Sequence, residues 1–218
     1  MGCSILIVVG TVSGSDVDTG DTKTYSLTDN AGGRFAIDST TGLITVANGS
    51  LLHYEAISSH DVTVRVADNG GLTYDKTFTI DLTDINESPI DLVLSSGTVV
   101  EHAANGTVVG TVTGSDPDIG DTATYSLTDT AGGRFAINSS TGVITVADGS
   151  LLNYGSATSH NVAVRVTDSG GLTYDETFTI TVTNVNETPT DLSLSASTVA
   201  ENAANGTVVG TVTGTDPD

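Results

Sequence analysis

Along this chain apolar and polar residues alternate in short runs. The clearest are Val162-Ala163-Val164-Arg165-Val166 and Thr177-Phe178-Thr179-Ile180-Thr181-Val182, rich in β-branched and aromatic residues. A period of two sends successive side chains to opposite faces of a sheet, so these segments read as half-buried strands. The same pattern, more weakly, marks residues 107–112, 124–127, 134–137 and 143–146, and 192–194 opens a further unit. Glycine turns separate the runs at Gly132-Gly133, Thr141-Gly142 and Gly170-Gly171, where a tight reversal costs least. No helical period is sustained, and residues 149–158, with Leu151-Leu152, offer at most one helical turn. Tyr125, Phe135, Tyr154, Tyr174 and Phe178 are the expected aromatic core of this stretch. About seven strands emerge, which points to an all-β immunoglobulin-like Greek-key sandwich.

The pattern occurs twice. Residues 11–100 and 111–200 align without a gap at about two-thirds identity, the mark of tandem duplication. Glu101-His102-Ala103-Ala104-Asn105-Gly106 returns as Glu201-Asn202-Ala203-Ala204-Asn205-Gly206, whereas the chain opens on Met1-Gly2-Cys3-Ser4-Ile5-Leu6. Both ends therefore read as cut from something longer. The expected units are 1–89, with an atypical first strand, 90–189, and 190–218 as the opening strands of a third. Short linkers at Asn86-Glu87-Ser88-Pro89 and Asn186-Glu187-Thr188-Pro189 join them, each proline restricting the residue before it to extended backbone.

Charge narrows the function. Twenty-seven acids against six bases give a formal net charge of -21, which repels phosphate-rich partners and argues against nucleic acid. The lone Cys3 cannot form an internal disulfide, so outside the cell stability must come from the core or from metal. The apolar run at residues 5–9 is too short to span a membrane or to act as a signal peptide. Any secretion signal is expected elsewhere.

The acids fall in repeated places. Asp16-Val17-Asp18, Asp116-Pro117-Asp118 and Asp216-Pro217-Asp218 each follow a Gly-Thr-Val-x-Gly lead, with Asp121 just beyond the second copy. Asp68 and Asp168 end later strands, Glu55 follows a double leucine, and Asp84, Asn86, Glu87, Asn186 and Glu187 lie in the linkers. A hard cation such as calcium takes about six to eight oxygen ligands, usually from several segments, and these segments supply them.

Taken together these residues resemble the cadherin repeat, and in particular the cadherin-like repeats of large bacterial surface and secreted adhesins. Glu101 and Glu201 match the family's Glu after its first strand, and Asp116-Pro117-Asp118 matches its Asp-x-Asp loop. Leu52-His53-Tyr54-Glu55 partly matches its Leu-Asp-x-Glu element. Val66-Ala67-Asp68 and Val166-Thr167-Asp168 match its strand end, and Asp84-Ile85-Asn86-Glu87-Ser88-Pro89 its linker. The resemblance implies calcium held between successive repeats. The upper repeat would give its Glu and Leu-x-x-Glu groups, and the lower repeat its Asp-x-Asp and strand-end Asp.

The departures rank the junctions. His53 and Asn153 stand for an expected Asp, Gly155 for a Glu and Asn184 for an Asp. The first junction keeps Glu55, Asp84, Glu87, Asp116, Asp118 and Asp168, whereas the second keeps mainly Glu101, Glu187, Asp216 and Asp218. Tighter calcium binding is expected at the first.

Other chemistries find little footing. A glycosidase acid pair copied in every repeat, without any Trp as a sugar platform, is an improbable design. His53, His60, His102 and His160 form no zinc motif, and His60 and His160, which recur before the same strand, suggest packing. The chain is therefore expected to be a non-enzymatic, extracellular or cell-surface segment that uses calcium for adhesion or for spacing a distal domain. Recognition of polysaccharide or of other cadherin-like repeats is the alternative. A third expectation concerns the tail at 190–213, which copies the first two strands of a repeat and could complete another chain's head by strand addition.

Overall fold

The computed structural model describes residues 7–15, 18 and 20–218. The chain forms two compact units, Met1–Asn86 and Glu87–Asp218, each an all-β sandwich of the expected class.

In the first unit the strands are β1 (Val8–Thr11), β2 (Thr24–Asp29), β3 (Phe35–Ile37), β4 (Leu43–Val46), β5 (Ser59–Ala67) and β6 (Thr73–Asp81). They form two three-stranded sheets, ordered β1-β4-β3 and β2-β5-β6. In the second unit β7 (Asp91–Leu94), β8 (Thr98–Val100), β9 (Val108–Ser115), β10 (Thr124–Asp129), β11 (Phe135–Ile137), β12 (Val143–Val146), β13 (Ser159–Thr167) and β14 (Thr173–Thr183) make two four-stranded sheets. Their orders are β11-β12-β9-β7 and β10-β13-β14-β8.

The eighth strand arises because the first strand of the repeat divides between sheets. β7 pairs antiparallel with β9, and β8 pairs parallel with β14. The crossing runs through Ser95-Ser96-Gly97, where a Cβ on Gly97 would come within 2.9 Å of the Thr179 carbonyl oxygen. Only glycine passes there without displacing β14. Alternation alone does not reveal such a transfer, since both halves keep period two.

Between the sheets of the second unit lies a core in which Val112, Ile144, Leu152, Val162, Val164 and Ile180 are fully buried. Phe135 is buried there, and Tyr125, Tyr174 and Phe178 pack against it. Tyr154 departs from the expected aromatic core: it sits 38% exposed in the turn after a short 3-10 segment, Gly149–Leu151, while Leu152 of the same segment takes the buried position. An Asp148 cap accepting from the Ser150 amide fixes that segment.

The two repeated histidines pack as expected. His60 meets Phe35 edge-on at 6.3 Å between ring centroids, and His160 lies 6.5 Å from Phe135. Burial, assisted by Arg134, pushes the His160 imidazole below its ordinary value, so it is neutral at physiological pH.

Past the second repeat, β15 (Asp191–Leu194) and β16 (Val212–Thr215) form a two-stranded sheet. Its register, Asp191 opposite Thr215 through Leu194 opposite Val212, repeats that of β7 on β9. Every residue of both strands is exposed. Among the described residues no helix is long and apolar enough to cross a membrane.

Candidate metal centre

In the second unit two chain segments bring three carboxylates together. Asp116 and Asp121 follow β9 and Asp168 directly follows β13, and one carboxylate oxygen from each lies within 4.8 Å of the others. They line a hollow of about 240 Å³ with Asp118, Ile119 and Pro89.

Backbone amides hold each acid in place. The Asp118 amide donates to Asp116 Oδ1 at 3.0 Å, and the Glu87 amide donates to Asp118 Oδ2 at 2.9 Å. Asp121 accepts from the Thr122 amide at 2.7 Å and, through its other oxygen, from the Ser169 amide at 3.1 Å. Asp168, only 6% exposed, accepts from the Leu172 amide at 2.7 Å across the Gly170-Gly171 turn. Hydrogen bonds from Ser169, through its side chain and its amide, hold the Asp121 carboxyl below the usual carboxylate range. The Asp121 carboxyl is thus favoured in its charged form.

One atom in this group has nothing to bind. Asp118 Oδ1 is buried without a hydrogen-bond partner, an arrangement that costs free energy unless a cation or water meets the oxygen. Oxygen donors alone, drawn from separate segments, are what a hard cation such as calcium requires. The residues fit that group.

A second cluster joins Glu101, His102 and Glu187. Glu101, 3% exposed, accepts from the Val185 amide at 2.8 Å and from the Tyr154 amide at 2.7 Å. Those two bonds pull its carboxyl below its ordinary value, against burial and the negative charge of Asp218. The Glu187 amide donates to Asp218 Oδ2 at 2.9 Å, and the Asp218 amide to Asp216 Oδ1 at 3.3 Å. Glu187 and Asp218 therefore repeat the bond made by Glu87 and Asp118. Sequence reading missed His102 here, whose Nε2 lies 3.2 Å from Glu187 Oε1 and 3.8 Å from Glu101 Oε2. Its signal was the partial match to Asn202: both positions have left-handed backbone, with φ of 53° and 60°.

The remaining expected ligands lie as follows. Asp16 is outside the described residues, and Asp18 is exposed. Asp68 accepts from the Leu72 amide at 2.8 Å as Asp168 does from Leu172, while Asp21, the counterpart of Asp121, accepts from the Asn69 side chain at 2.7 Å. Glu55 is half-buried, with Oε1 lacking a hydrogen-bond partner. Asp84 and Asn86 are exposed in the stretch after β6, and Asn186 donates to the Glu187 carbonyl at 3.1 Å.

Comparison with known proteins agrees with this geometry. A sequence profile of the cadherin domain matches residues 95–183. Cadherin-related family member 1a of Danio rerio is 33% identical over 60% of this chain, which spans 17% of that protein. The protocadherin-like wing polarity protein stan of Drosophila melanogaster is 33% identical over 96% of the chain, which spans 6% of it. Among solved structures, mouse cadherin-23 EC22-24 covers 97% of this chain at 27% identity with a TM-score of 0.73, over 71% of its own length. Protocadherin gamma B2 extracellular domains 3-6 share the fold at 21% identity, with a TM-score of 0.73 over 98% of this chain and 51% of that one.

The chain is a tandem-repeat β-sandwich of cadherin-like, extracellular cell-surface type, and residues 95–183 of its second repeat match the cadherin domain. Domains of this kind are structural and adhesive rather than catalytic. The expected kinship with bacterial adhesins is corrected: the relatives found are animal cadherins and protocadherins of fish, frog, fly and mouse. Any hard cation would draw on the same oxygen-bearing residue types in either lineage, so these motifs do not separate the two.

Proposed function

We propose that this chain is a calcium-binding structural segment of a cell-surface cadherin-like protein. In this reading calcium stiffens the joints between repeats, and the array serves adhesion directly or spaces an adhesive domain from the cell. The observation that carries the reading is the group of Asp116, Asp121 and Asp168, three acids from two separate segments fixed by backbone amides, beside the unpartnered Asp118 Oδ1. The linker sequence assigns Glu55, Asp84, Asn86 and Glu87 to the same ion or ions. Glu101, Glu187, Asp216 and Asp218, with Asn186, would serve the next.

When bound, the cation neutralises carboxylates that otherwise repel each other within a Debye length of about 8 Å. It thereby ties the strand end, the Asp-x-Asp loop and the linker into one element. An affinity of about 10⁻⁴ to 10⁻³ M suits an extracellular module, tighter at the first junction, which has more acids. Partners of the same chemistry are other cadherin-like repeats.

The test is thermal melting in calcium, magnesium and chelator, paired with small-angle scattering. Calcium should raise the melting temperature and lengthen the particle, and Asp116→Asn with Asp168→Asn should cancel both. Identical melting and scattering in calcium and chelator would sink the proposal.

A further inference from the structure

Each repeat places one histidine on the inward row of a central strand, and the calcium chemistry proposed above does not use it. His160 is the second residue of β13, on the row continued by Val162 and Val164, which are fully buried. Its ring lies 6.5 Å from Phe135 of the opposite sheet, so the imidazole stands in the gap between the two sheets. There its Nε2 is buried and has no hydrogen-bond partner among the described residues. His60 takes the same place against Phe35, and its Nε2 is likewise buried and unpartnered. A buried imidazole nitrogen without a partner costs free energy, and most when the ring carries a charge.

The surroundings of His160 oppose a proton. Burial is the larger cause that holds its imidazole below the ordinary value, and the positive charge of Arg134 adds to it. Arg134 is pinned, its Nε donating to the Leu151 carbonyl at 3.0 Å and its Nη1 to the Ala131 carbonyl at 2.7 Å. No carboxylate offsets that charge at the ring. Asp129 and Asp148, the acids of the two loops that Arg134 joins, are occupied by the Ala131 amide and by the amide and hydroxyl of Ser150. On the inward row of β14, Phe178, Ile180 and Val182 flank the histidine, while the titratable Tyr174 and Glu176 lie opposite Val166 and Val164. β10 reaches only to Ala163, with its Tyr125 opposite Val166, and the facing β11 adds Phe135 and Ile137, neither of which titrates.

We propose that His160 is an acid-operated latch of the second repeat: an imidazole seated between the sheets that leaves the gap on taking up a proton and frees the start of β13. The frame that opens is the pairing of Ser159 with Thr181 and of His160 with Ile180, together with the bond from the Val182 amide to the Thr158 carbonyl at 2.9 Å. Thr181 and Val182 also carry β8, through Thr98 and Val99, so the loosening passes to that strand. Above about pH 6.5, the ordinary histidine value, the ring is neutral in the folded and the unfolded chain alike, and the latch is closed. Below it the unfolded chain takes up a proton that the folded repeat does not. The unfolding constant then rises by up to about tenfold per pH unit, until the pH falls through the depressed folded value. A cell-surface segment meets this range on entering an acidic compartment, where histidine is the side chain that changes charge. The latch needs no calcium to act.

Urea unfolding of the 218-residue chain in chelator, at fixed ionic strength between about pH 7.5 and 5, tests this, because carboxylates stay charged over most of that range. On acidification the second repeat of the parent should unfold more readily relative to His160→Gln and His160→Leu. The ratio of unfolding constants should grow by up to about tenfold per pH unit. Ring-proton NMR of the folded parent should place the His160 titration below that of a histidine in an unfolded chain. Amide exchange at Ser159, His160 and Asn161, corrected for its intrinsic pH dependence, should quicken as the ring titrates. Parallel pH curves for the parent and both variants overturn the proposal. So does a His160 ring that titrates at or above the ordinary value, a readout that stands even where a variant fails to fold.

Discussion

The first and second repeats carry nearly the same core sequence but bury it differently. Leu152, Ile180, Val112 and Val166 are buried to 1% exposure or less, whereas Leu52, Ile80, Val12 and Val66 are only half-buried. Tyr174 packs on the core of its repeat, and Tyr74 is 67% exposed. The difference comes from β7 and β8, which close both sheets of the second repeat. Burial of a sandwich core is thus a property of the last strands laid on it as much as of the side chains inside.

The sharpest way to break this comparison is to remove one matched leucine from each repeat. Leu152→Ala should cost about 2 to 5 kcal/mol in urea unfolding, the range for a fully buried leucine, and Leu52→Ala less than about half as much because its surroundings are already open. Equal losses would show that the half-burial of the first core has no energetic weight.

Calcium should sharpen the contrast further. At about a hundred times its dissociation constant it should stabilise the unit that binds it by about 2.7 kcal/mol. The transition of the second repeat should rise, and Asp168→Asn should remove most of the rise. The calorimetric trace with and without chelator reads this directly.

A smaller effect should appear in acid. The Glu101 carboxyl is held below its ordinary value by the Val185 and Tyr154 amides, so the folded state favours its charged form. That contribution is complete above the usual carboxylate range and is lost as pH falls through the depressed value. Glu101→Gln should therefore lower the melting temperature of the second repeat at neutral pH, and the gap from the parent protein should close in acid. A gap that persists unchanged to low pH would rule out this cause.

Smallest of all should be the cross-strand pairs Arg65–Asp75 and Arg165–Asp175, both bidentate at 2.7 Å and solvent-exposed. Asp75→Asn and Asp175→Asn should each change stability slightly and equally, and the change should fade with added salt. Unequal effects in matched unfolding curves would mean that the repeats differ beyond the contribution of β7 and β8.

Much of this was legible in the chain itself. Alternation marked the interior of β13 and β14, at residues 162–166 and 177–182, and missed their first three and four residues, because a half-buried strand must show period two only where one face is packed. The repeat fixed the places of the acids, and ligand chemistry made Asp116, Asp118, Asp121 and Asp168 a set before any fold was known. What remained hidden depends on contacts between distant segments. The transfer of the first strand between sheets, the exposure of Tyr154 beside buried Leu152, and the approach of His102 to Glu187 leave no periodic trace.

By itself, then, the sequence determined the class of sandwich, its repetition and its acidic oxygen chemistry, since these follow from local patterns that each repeat carries alone. Only the tertiary structure decided which amides hold each carboxylate, which acid oxygen stays unpartnered, and which of two like cores is sealed. Those outcomes turn on whether a strand from elsewhere in the chain lies across the edge, and burial and hydrogen bonding are settled by that neighbour rather than by the residue alone.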